Sequence, residues 1–180
     1  MRVLSHILRK TAEILFLSST KIDDIPKLFK SIATYLKQAP ETDFNTTPRS
    51  VQFKGVPLIL TDDAIESFKK HVTEDVYQAG IASWNELNIF NVIGKLINRL
   101  YMIFQTKIES TVYSKEGYSL IKDHNEIWDG VVNEMALTEK YKGKPLKETI
   151  RDVTDKLHKS ADLIENKMLP LIKKIDEDYP

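Results

Sequence analysis

The sequence predicts a mainly α-helical domain, a bundle of about six helices with one small extended element near residues 51–60. Three observations predict it. Only 6 Gly and 7 Pro occur among 180 residues, too few for a turn-rich β sandwich. Apolar residues recur at steps of three and four over most of the chain. The composition, 42% hydrophobic and 29% charged, is that of a chain that folds around a core. At this length one domain spanning 1–180 is expected, burying about 70% of its unfolded surface.

The elements follow in order. Val3, Leu4, Ile7, Leu8 and Leu15 mark a first amphipathic helix, ended by Ser18, Ser19 and Thr20. Asp23 and Asp24 followed by Pro26 form the acidic, proline-bearing start of a second helix, whose apolar face is Leu28, Phe29, Ile32, Tyr35 and Leu36. Residues 39–50, with Pro40, Asn45 and Pro48 and no periodicity, read as the longest loop and a hinge. Residues 51–60 are β-prone around Gly55, and Pro57 confines its strand to an edge. Thr61, Asp62 and Asp63 open a third helix that Gly80 closes.

Ser83 and Glu86 form a capping box at the head of a helix expected to run about 30 residues, to about Tyr113. Its apolar residues occupy more than one face, which gives it the central position. Gly117 is expected to interrupt the chain, and a fifth helix carries Ile121, His124, Trp128, Val131 and Met135 inward. After the loop Tyr141–Lys144, the final helix begins at Pro145. Its stripe is Leu146, Ile150, Val153, Leu157, Ala161, Ile164, Met168, Leu171 and Ile175, with a kink or break expected at Pro170.

Composition also bounds function. Lys+Arg and Asp+Glu both number 26, so no net positive field favours a polyanion. Zero cysteines remove disulfides, Cys-ligated metals and thiol nucleophiles. The six glycines are scattered, so neither a phosphate-binding loop nor a dinucleotide fingerprint can be built. No cofactor and no metal are expected. Arg9, Lys10 and Glu13 interrupt the N-terminal apolar stretch, and Asn91, Lys95, Asn98 and Arg99 interrupt the longest internal one, so neither a secretory signal nor a membrane span is expected. The expected compartment is the cytoplasm.

Two constellations carry candidate chemistry. His124 shares an apolar stripe with Trp128, so it points inward, either as a hydrogen-bonded core histidine or as part of a ligand site between helices. His6 and His71 are expected on solvated faces. The second is Arg151-Asp152-Val153-Thr154-Asp155-Lys156-Leu157-His158, which places Arg151 and His158 two turns apart on one face, roughly 10.5 Å along the axis.

This segment resembles the R-x4-6-H signature of HEPN-family ribonucleases. The resemblance implies a metal-independent RNA-cleaving homodimer in which Arg151 stabilises phosphate charge and His158 exchanges protons. Read as helix surface alone, the same residues offer opposite-charge pairs, Arg151 with Asp155 and His158 with Asp162. Asp155, His158, Asp162 and Glu165 also share a sector from which a metal site can be drawn.

The function expected first is non-catalytic binding through protein–protein contacts, with the HEPN-like ribonuclease as the alternative and RNA a partner only under it. Two long amphipathic helices are the usual material of helix-in-groove recognition and of bundle dimers. A homodimer is expected because the apolar faces of residues 84–113 need more cover than two short N-terminal helices supply. Val51, Phe53 and Leu58 are a further binding candidate, an edge that could accept a partner strand.

Overall fold

A computed structural model describes residues 20–38, 52–53, 56–57 and 89–180, and these are mostly helical. A 3-10 turn, Ile22–Asp24, leads into α1, Ile25–Gln38. Then come α2, Ile89–Ile108, α3, Ser114–Ile127, and α4, Glu134–Tyr141. Helix α5, Leu146–Leu163, passes through a π turn, Ile164–Met168, into α6, Leu169–Asp178. Two short extended pieces, Gln52–Phe53 and Val56–Pro57, pair antiparallel with Gln52 opposite Pro57 and Phe53 opposite Val56. The first and third expected helices, the loop at 39–50 and the rest of 51–60 lie outside the described residues, as do His6 and His71.

The core forms where the stripes meet. Helix α1 lays Ile25, Leu28, Phe29, Ile32 and Leu36, all fully buried, along α5. From α5 through α6 every member of the expected stripe from Ile150 to Ile175 is buried. Helix α2 contributes Ile93, Leu96, Ile97, Leu100 and Phe104 and packs against α3 and α4. Burial of this order, at about 25 cal/mol per Å² of apolar surface, is the main term holding the helices together.

Four expectations are corrected. Helix α2 stops at Ile108, five residues before Tyr113, because Thr111 and Ser114 turn the chain: the Thr111 N–H and the Ser114 hydroxyl both donate to the Ile108 carbonyl. Gly117 does not interrupt; it lies buried inside α3, where a Cβ would come within 2.6 Å of the Ile108 side chain. It is a close-packing glycine rather than a breaker.

The expected fifth helix is two helices. Asp129 and Gly130 adopt φ of 52° and 79°, the Gly130 N–H reaches back to the Asn125 carbonyl, and Asn133 caps α4 through the Ala136 N–H. Met135 therefore leaves the stripe and is 74% exposed. This reversal lets α4 return along α2, where Gly94 is obligatory: a Cβ there would fall 2.3 Å from the Glu134 backbone.

Pro170 causes no break. The π turn precedes it, with the Leu169 N–H bonded to the Ile164 carbonyl, and the proline sits in the first turn of α6 where a missing N–H is tolerated.

Candidate functional site

His124 lies at the junction of three helices. α3 supplies it, α2 supplies Tyr101 and α5 supplies Ser160. Its ring is fully buried, with Nδ1 3.1 Å from the Tyr101 hydroxyl and Nε2 hydrogen-bonded to the Ser160 hydroxyl. Tyr101 also meets the imidazole edge-on at 5.4 Å. Burial pushes the His124 pKa down to about 3 and that of Tyr101 up to about 12, so both are neutral at pH 7. A neutral imidazole carries one N–H, so one hydroxyl accepts from it and the other donates to the bare nitrogen.

A serine beside a histidine invites a nucleophilic reading, but Ser160 and His124 are both fully buried and no substrate reaches the Ser160 oxygen. Trp128 is packed closed as well, with its ring 6.3 Å from that of Phe29. The indole N–H has no hydrogen-bond partner among the described residues. Sequence reasoning placed Tyr101 in the core of the central helix but gave neither it nor Ser160 as a partner of His124. Ser160 had a signal: it sits between Leu157 and Ala161, on the buried side of the stripe, as the polar residue that could satisfy an inward histidine.

A second polar cluster ties α3, α4 and α5. Lys156 is buried and donates to the Ile127 carbonyl at 2.9 Å and to Asp129 at 3.0 Å, while Lys140 also pairs with Asp129. These two lysines hold the Asp129 pKa down to about 2. The Tyr141 hydroxyl donates to Asp152 at 2.5 Å, and burial together with that carboxylate raises its pKa.

Arg151 and His158 are not brought into one pocket. Arg151 is exposed and lines a trough of about 650 Å³ with Tyr141, Lys144, Glu148, Asp152 and Asp155, whereas half-buried His158 is not among the lining residues. The expected surface pairs do not form: Asp155 bonds Lys159 at 2.9 Å, and Arg151–Asp155 and His158–Asp162 are absent from the ion pairs of the described residues. Glu165, a member of the drawn metal sector, is held by Lys30 at 2.8 Å. No group of three ligating side chains placed to hold a metal occurs among the described residues. Val51, Leu58 and the side chain of Phe53 lie outside the described residues.

One feature that sequence reasoning missed is a groove of about 1180 Å³ between α2 and α6. Ile22, Ile103, Leu169 and Ile172 supply its apolar surface, and Arg99, Lys107, Glu165 and Asp176 are among its charged residues. The π turn contributes Glu165 to its lining, and Leu169 and Pro170, the first residues of α6, follow. The available signal was Arg99, Ile103 and Lys107 at steps of four, a mixed face on a helix assigned wholly to the core. No helix of the described residues is long and apolar enough to cross a membrane. Comparison with known protein families, with curated proteins and with solved structures returned no match to this chain.

Proposed function

We propose that this chain is a non-catalytic binding protein that acts through protein–protein contacts, and that an amphipathic helix of its partner seats in the groove between α2 and α6. The groove carries the reading. It offers an apolar surface between two helices with charges of both signs around it, the setting in which a further helix packs by ridges into grooves. The π turn adds weight, because such turns concentrate at functional sites. A bundle of about six helices, a hairpin near residues 51–60, a homodimeric state and a cytoplasmic location belong to the same proposal.

The ribonuclease alternative has less support. The trough that Arg151 lines also holds Glu148, Asp152 and Asp155, carboxylates that oppose a phosphodiester, and His158 stands outside it.

Photo-crosslinking tests the binding reading. A photoreactive residue at Lys173, in the groove, is compared in cells with one at exposed Lys122 on α3. The expected result is a discrete protein adduct at position 173 only, lost in a folded Ile103→Asp variant. Equal labelling at both positions, or insensitivity to Ile103→Asp, overturns the groove as the site. An adduct of twice the chain mass identifies a second copy as the occupant. RNA cleavage in EDTA that is abolished by both Arg151→Ala and His158→Ala replaces the binding reading with the ribonuclease.

A further inference from the structure

We draw no further inference here: the strongest candidate, the polar trough between α4 and α5 lined by Tyr141, Lys144, Glu148, Thr149 and Arg151, sets its cations against nearby carboxylates in near balance, and nothing in the structure shows what would occupy it.

Discussion

Two polar clusters join α3 to α5, and they meet burial in opposite ways. Around His124 the surroundings are closed, so the ionisable group gives up its charge and is held by the neutral hydroxyls of Tyr101 and Ser160. Around Lys156 the buried ammonium is met by charge and dipole, because the Ile127 carbonyl and the Asp129 carboxylate accept from it and Asp129 itself reaches solvent, 56% exposed. The difference teaches what decides the outcome: a charge survives burial where an acceptor of opposite sign lies within reach, and is lost where only neutral partners do.

The largest effect is expected where the comparison is most one-sided. His124→Ala removes a fully buried ring and leaves the Tyr101 and Ser160 hydroxyls unpaired, so a cavity cost and a desolvation cost combine, at about 3–4 kcal/mol. His158→Ala, on a half-buried side chain with no hydrogen bond or ion pair among the described residues, is expected to cost about 0.5 kcal/mol. Urea unfolding of the two variants measures the gap, and equal midpoints would show that the His124 hydrogen bonds contribute nothing net.

Lys156→Met comes next. It keeps the apolar stem but deprives the Ile127 carbonyl, near the end of α3, of a charged donor, and it releases Asp129 to Lys140 alone. A loss of about 2 kcal/mol is expected, most of it retained at 1 M salt because the buried carbonyl bond is not screened. A loss that vanishes in salt would place Lys156 among ordinary surface cations.

The third test uses pH. His124 has a folded pKa near 3 and an unfolded one near 6.5, so between those values the unfolded chain binds the proton first. Stability is therefore full above pH 6.5 and falls as pH drops toward 3, by up to about 1.4 kcal/mol per unit. Between pH 6.5 and 5, above the range in which unperturbed carboxylates titrate, the slope should disappear in His124→Ala. A slope that persists there in the variant would assign it to another group.

How far the sequence was legible follows from the same physics. From Ile150 to Ile175 one stripe predicted burial residue by residue, because no turn intervenes and the π turn slips the register without moving the stripe off the core. Between residues 114 and 141 the same arithmetic failed. Periodicity continues across a reversal marked locally by the turn-forming pair Asp129-Gly130 and the cap residue Asn133, signals that the unbroken spacing of three and four outweighed. Gly117 failed for the complementary reason: its role is set by the Ile108 side chain of another helix, which no local pattern contains. At the candidate site, the inward direction of His124 was legible and its partners were not, since Tyr101 and Ser160 arrive from helices 23 and 36 residues away. The groove was illegible because it depends on how α2 and α6 are placed.

The smallest effect concerns the acid of the charged cluster. Asp129 combines two roles, a carboxylate held by Lys140 and Lys156 and a backbone at φ 52° ending α3. Asparagine tolerates that left-handed conformation, so Asp129→Asn isolates the charge, whereas Asp129→Ala removes charge and tolerance together. With its side chain mostly in water, the ion pair is largely screened, and Asp129→Asn is expected to cost about 0.5 kcal/mol at low salt and nothing measurable at 1 M. The alanine variant keeps a salt-independent loss of about 1 kcal/mol from the strained backbone. In the wild type the carboxylate contribution is present above about pH 3.8 and fades as pH falls toward 2, the value to which the lysines hold it. If Asp129→Asn is as damaging at 1 M salt as at low salt, the charge of Asp129 is not what anchors the end of α3, and Lys156 must act through the Ile127 carbonyl alone.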